Sequence, residues 1–137
     1  MTELLKNQEP LPKLLIAEDD GYASQMITQM LDDEFEIEQV NNGKDAVERC
    51  LTEDYIALLL DVGLPKMDGF DVIRTLREQK NPIAYLPIIV QSAHCDETDH
   101  AHLLELGANE VFTKPTQTDK LKYSIYKWHT KRTTQAT

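Results

Sequence analysis

Four short hydrophobic runs punctuate the chain, and each ends on residues able to do chemistry. Leu14-Leu15-Ile16-Ala17 leads into Glu18-Asp19-Asp20, Ile56-Ala57-Leu58-Leu59-Leu60 into Asp61, Leu86-Pro87-Ile88-Ile89-Val90 into Gln91-Ser92, and Val111-Phe112-Thr113 into Lys114-Pro115. Runs this short, without strict polar alternation, predict strands buried on both faces. A weaker strand, Glu36 to Val40, precedes the turn signal Asn41-Asn42-Gly43. Between the runs the period becomes helical. Tyr22, Met26, Ile27, Met30 and Leu31 fall on one face, as do Ala46, Val47, Cys50 and Leu51, and then Val72, Ile73 and Leu76. A fourth helix is expected from about Asp96 to Leu106, stopped by Gly107, and a last one from about Thr118 to Thr130, burying Leu121, Ile125 and Trp128. Strands alternating with helices predict an α/β fold, a doubly wound parallel sheet covered on both faces.

At 137 residues the chain suits one domain. The expected division is a flexible leader over 1–12, a folded unit over 13–130 and a polar tail over 131–137. No signal-peptide core and no membrane span is visible, so a cytoplasmic protein is expected. Cys50 and Cys95 then fit reduced thiols. Fourteen Lys and Arg against 24 Asp and Glu give a net charge of -10. That balance argues against direct nucleic-acid binding, where affinity comes from cations on phosphates. Charge is uneven: Lys114 to Thr137 holds six cations and one acid. This basic end is either a surface for an acidic partner or, the favoured reading, a solvated helix face.

In a doubly wound sheet, ligands bind outside the carboxyl ends of the strands. The strand exits would gather Glu18, Asp19, Asp61, Ser92 and Lys114. Two carboxylates 4 Å apart repel by about 4 kcal/mol at an effective dielectric near 20, so such a pocket needs a cation. An all-oxygen site with open positions suits Mg2+, or Mn2+, better than zinc. A carboxylate can also serve as nucleophile toward phosphorus, with a metal and an ammonium neutralising the transferring group. Taken singly, an Asp after a strand is more often a turn or cap residue. The ordered set, acid pair, Asp, Ser and Lys-Pro at successive strand exits, favours the functional reading. His94, His100, His102 and His129 show no ligand spacing and read as ordinary surface or packing residues.

The segments LLIAEDD, LLLDVGLPKMDGFDVI, PIIVQSA and VFTKP resemble the receiver domain of two-component response regulators over about Lys13 to Trp128. The resemblance implies a flavodoxin-like, CheY-like sheet of order 2-1-3-4-5 and a phospho-accepting Asp61. It implies metal ligation by Asp19, Asp61 and the Gly63 carbonyl, with Glu18 acting through water, and leaves Asp20 outside the ligand set. It makes Ser92 the hydroxyl switch, Lys114 the phosphoryl contact and Pro115 the residue after a cis peptide. Pro65, Asp68 and Gly69 fit the loop after the phosphorylation site, where Asp68 and Gly69 also suit a plain turn. Gly63 and His94 line the route of hydrolytic water. The chain departs from the family where a switch aromatic is usual: it has Val111, with Phe112 facing the other way.

The expected role is a phosphorylation-driven signalling switch, not an enzyme in its own right. A histidine kinase or phosphotransfer protein is the expected donor. A downstream protein is expected to bind the face made by the fourth helix, fifth strand and fifth helix. Alternatives are a receiver fragment of a larger regulator or hybrid kinase, a receiver that only binds a partner, and an aspartyl-nucleophile phosphatase. The last is disfavoured because such enzymes want an acid where Gly63 stands.

Overall fold

Five parallel strands form one sheet in the order β2-β1-β3-β4-β5. They are β1 (Lys13–Ala17), β2 (Glu36–Val40), β3 (Ala57–Asp61), β4 (Ile88–Ser92) and β5 (Glu110–Thr113). The helices are α1 (Gly21–Leu31), α2 (Gly43–Thr52), α3 (Gly69–Arg77), α4 (Glu97–Leu106) and α5 (Thr118–Ala136), with a short 3-10 turn at Pro82–Tyr85. The structure, a computed structural model, describes residues 10–94 and 96–136. Most of the expected leader, residues 1–9, and Cys95 lie outside the described residues. The chain is tied to the sheet from Pro12, whose carbonyl accepts from the Glu36 N–H at 2.9 Å.

The two sides of the sheet follow from side-chain alternation. Leu14, Ile16, Leu59, Ile89 and Phe112 point toward Ile27 and Leu31 of α1 and Leu121 and Ile125 of α5. Leu15, Ala17, Leu58, Leu60, Ile88, Val90 and Val111 point toward α2, α3 and α4. The central strands carry apolar residues on both faces because both are covered. Each buried Leu or Ile adds roughly 1.5–3 kcal/mol of transfer free energy.

Four expectations about helix faces and lengths change. On α1 the buried residues are Ser24, Ile27 and Leu31, whereas Tyr22 is 73% and Met26 46% exposed. Their apolar side chains fit the period but lie on its outer margin, beyond what the sheet covers. Leu51 is likewise exposed on α2, where Gly43, Ala46, Val47 and Cys50 are buried. The last helix does not stop near Thr130 but runs to Ala136. Its continuation is anchored by Arg132, which donates to the Tyr55 carbonyl at 3.0 Å. Trp128 is only half-buried, its indole N–H donating to Glu110 at 3.1 Å.

The basic end of α5 is directed largely at this molecule. Lys122 pairs with Asp33 and Glu34 at 3.2 Å, and Lys127 pairs with Glu110. Lys127 and Lys131 also stand over the Trp128 ring. The partners come from the acidic body of the domain, so the charge asymmetry of the sequence is partly folded back on itself.

Two close packings fix the connections, one at the entries to β4 and β5 and one at the strand exits. Arg77, at the end of α3, donates to the carbonyls of Gly107, Ala84 and Leu86 and to Asn109 Oδ1, all within 2.9 Å. Burial lowers its guanidinium to about 10, so it remains charged at neutral pH. Gly43 opens α2 against the loop after β3: a Cβ there would stand 1.8 Å from the Met67 carbonyl oxygen and 2.9 Å from Val72 Cγ2. We expect Gly43→Ala to lower the stability by about 2 kcal/mol or more, because backbone has to shift. Gly21→Ala, where a Cβ meets nothing within 4 Å, should stay within about 0.5 kcal/mol. Urea unfolding midpoints of the two variants check this.

Burial pushes the Cys50 thiol up from an ordinary 9.0 to about 12. The fold thus favours the neutral thiol, and ionisation favours the unfolded chain. The contribution is whole below pH 9 and is lost as the pH climbs from there toward 12. The unfolding midpoint should therefore fall more steeply across that window in the native chain than in Cys50→Ala. Parallel slopes would contradict the assignment.

Candidate functional site

The site is assembled by the way each strand hands over to its helix. Asp20 caps α1, its carboxylate accepting from the N–H groups of Tyr22 and Ala23 at 3.0 and 3.4 Å. That use of Asp20 leaves Glu18 and Asp19 as the acids at the end of β1. Glu18 is 4% exposed, and its Oε2 accepts from the Asp20 N–H at 3.2 Å. Asp61 is the last residue of β3. Its Oδ1 accepts from the Gly63 N–H at 3.4 Å. Asp68 caps α3 through the Asp71 N–H, and Gly69 packs so closely that an added Cβ would lie 2.8 Å from Val62 Cα. Asp68 and Gly69 therefore hold the loop after Asp61 as cap and close-packing residue.

Carboxylate oxygens of Glu18, Asp19 and Asp61 lie within 4.8 Å of one another. Among the described residues this is the one such group of potential metal ligands. The Lys114 ammonium bonds Glu18 Oε1 and stands 3.9 Å from Asp61 Oδ2. Three formal negative charges thus face one positive charge. At about 5 Å and an effective dielectric of 20, each uncompensated pair costs about 3 kcal/mol. An oxygen-only donor set with surplus negative charge fits a hard divalent cation such as Mg2+.

Lys114 is placed by its backbone as well: its N–H donates to the Ser92 carbonyl at 2.9 Å, and the peptide to Pro115 is cis. Ser92 is the buried last residue of β4. By alternation it follows Val90 onto the α3 and α4 side, the side that Val111 also faces, while Phe112 packs on the other. The opposed facing of Val111 and Phe112 agrees with their sequence pattern. Gly63 and His94 are exposed beside the site.

Sequence reasoning missed Gln91. The run was expected to end at Val90, but β4 continues through Gln91 and Ser92 with every residue buried. Gln91 sits in register opposite Asp61. The signal available was a polar amide between an apolar run and Ser92, which looks like a loop residue until the register is known. The role of His102 was also invisible: its ring stacks on Phe70, just after Gly69, with centroids 5.0 Å apart. That contact ties α4 to the first turn of α3, which follows the loop after Asp61. Apart from it α4 is lightly held, since Leu103 is its one fully buried residue.

A family model for the response regulator receiver domain matches residues 14–126. The transcriptional regulatory protein SrrA of Staphylococcus aureus is 36% identical over 104 residues, covering 75% of this chain and 42% of SrrA. The chain thus spans less than half the length of the curated relatives it matches. The solved receiver domain of a sensor histidine kinase from Pseudomonas aeruginosa, with a magnesium ion coordinated in its active-site cleft, superposes with a TM-score of 0.80. It is 28% identical, and the match covers 88% of this chain and 98% of that one. The Francisella response regulator 1452 receiver domain gives a TM-score of 0.79 at 26% identity, over 88% and 98% of the two chains. No helix among the described residues is long and apolar enough to cross a membrane. With its strand order, its acidic pocket and a family match over nearly its whole length, the chain belongs to the response regulator receiver domain family.

Proposed function

We propose that Asp61 accepts a phosphoryl group from a phosphohistidine on a histidine kinase or phosphotransfer protein, and that the resulting charge alters binding of a downstream protein. The observation that carries this reading is the convergence of Glu18, Asp19 and Asp61 under one ammonium at the strand exits. The family is one of signalling switches, and the magnesium in the Pseudomonas receiver supports the same ion for this acidic pocket.

Asp61 is the nucleophile: its carboxylate oxygen forms the new bond to phosphorus as the P–N bond to the donor imidazole breaks. The electron pair stays on the imidazole nitrogen, which takes up a proton. Asp19, Asp61 and the Gly63 carbonyl would hold Mg2+, with Glu18 acting through water. The bound ion supplies positive charge toward the phosphoryl oxygens. Lys114 moves its ammonium from Glu18 toward a phosphoryl oxygen, and the Ser92 hydroxyl donates to another. No aromatic ring at position 111 accompanies the Ser92 movement, so the change passes to α4 through Ser92 and the loop that follows. The output face is α4, β5 and α5. Water entering past Gly63 and His94 attacks the phosphorus, the P–O bond to Asp61 breaks, and inorganic phosphate leaves the free carboxylate behind. The unit over 13–130 is the working receiver, acting alone or as part of a longer regulator or hybrid kinase, in the cytoplasm.

Incubation with acetyl phosphate and Mg2+ should add the mass of one PO3 group to the intact chain, and Asp61→Asn should abolish the adduct. An adduct of equal yield on the Asn variant would refute the assignment. Lys114→Ala should keep the fold and form adduct slowly, without the chemical-shift changes in α4 that phosphorylation brings to the native chain. Asp19→Asn should be more stable than the native chain without metal, because it removes a like charge. It should also lose most of the gain of about 2–3 kcal/mol that the native chain shows at 100 times the Mg2+ dissociation constant. Unfolding midpoints with and without Mg2+ read both effects.

A further inference from the structure

Among the asparagines only Asn42 is followed by glycine. An Asn–Gly step is chemically labile, because a following residue without a Cβ lets its backbone nitrogen approach the side-chain carbonyl carbon unhindered. Packing holds position 43 to glycine, since an added Cβ would stand 1.8 Å from the Met67 carbonyl oxygen. The fold therefore keeps a reactive dipeptide at the start of α2.

Each group that the reaction uses is engaged in the folded chain. Asn42 is 3% exposed. Its carboxamide oxygen accepts from the Asp45 N–H at 2.8 Å. Its NH2, the leaving group, donates to Asn41 Oδ1 and Asp45 Oδ2, both at 2.9 Å. The attacking nitrogen is that of Gly43, and its N–H donates to the Pro65 carbonyl at 3.2 Å. Pro65 belongs to the loop after Asp61, where the same carbonyl also accepts from the Met67 N–H at 2.8 Å.

The structure assigns Asn42 as a site of spontaneous deamidation that the loop after Asp61 keeps closed. When the loop leaves α2, the Gly43 nitrogen gives its proton to water and its electron pair bonds Asn42 Cγ. The bond from Cγ to the side-chain nitrogen breaks, and ammonia leaves with a proton taken from water. A second water opens the cyclic imide that remains. Opening at Cγ leaves aspartate at position 42, and opening at the backbone carbonyl carbon leaves isoaspartate, with the chain running through Cγ. Neither product fits. The first sets a carboxylate against Asp45 where an NH2 stood, and the second lengthens the backbone where Gly43 already touches Met67. Ageing would thus be written into the loop beside Asp61, whether or not Asp61 carries a phosphoryl group.

The test incubates the full chain at mildly alkaline pH, folded in buffer and unfolded in urea. Conversion is followed by the mass gained when OH replaces NH2 and is located by peptide mapping. Unfolding should speed it at least about tenfold, because the folded chain reacts only through its open fraction. Equal rates, or no conversion at Asn42 in urea, would overturn the proposal. Hydrogen exchange should find the Gly43 N–H of the folded chain protected, since both reactions need the same opening; exchange at the unfolded rate would overturn it too. The converted chain, separated by its added negative charge, should unfold at a lower urea concentration than the unconverted one. An unchanged midpoint would refute the tight fit on which the closure rests.

Discussion

Like charges held together at the carboxyl edge of the sheet are the constraint around which the rest is arranged. Glu18, Asp19 and Asp61 come from strands that are buried on both faces and cannot move apart without disturbing the core. The answering cation arrives from the edge strand, beyond β4, and bonds the most buried of the three acids. The resting site is thus under-neutralised, which leaves room for a divalent ion and for the anionic group that the ion would escort. A fully compensated cluster would be more stable and would have less reason to bind either.

Much of this was readable from the order of residues, because the strongest signals were local and periodic. A buried parallel strand shows itself as an apolar run, and a residue that ends such a run is delivered to a known edge of the sheet. Glu18, Asp19, Asp61, Ser92 and Lys114 were all found in this way. What the pattern could not give was the extent of cover. Tyr22 and Met26 fit the helical period of α1 as well as Ile27 does, yet only Ile27 meets the sheet. The length of α5 depended on a tertiary hydrogen bond, Arg132 to the Tyr55 carbonyl, between residues 77 apart. Gln91 was passed over because its meaning depends on cross-strand register, a long-range property with no local mark.

The two ends of α4 are held differently. Its C-terminal side is fixed by Gly107, at φ 121°, and by Arg77, which reaches across to the Gly107 carbonyl and Asn109. Its middle rests on Leu103 and on the His102 ring against Phe70. Its first turn carries Glu97 and Asp99 after the Asp96 cap. A helix anchored at one end and lightly packed elsewhere has the low local stability from which moving elements are drawn. Val111 leaves less bulk at the side of Ser92 than an aromatic ring would, and the His102 ring against Phe70 links α4 to the first turn of α3 instead.

A helix that gives the core only Leu103 and part of Leu106 leaves its outer positions with almost no architectural duty. Substitutions there carry little folding penalty, so sequence drift can rewrite whom the domain addresses while its phosphorylation chemistry stays intact. Duplicated copies of such a chain could become insulated from each other's signals by changes on this one surface.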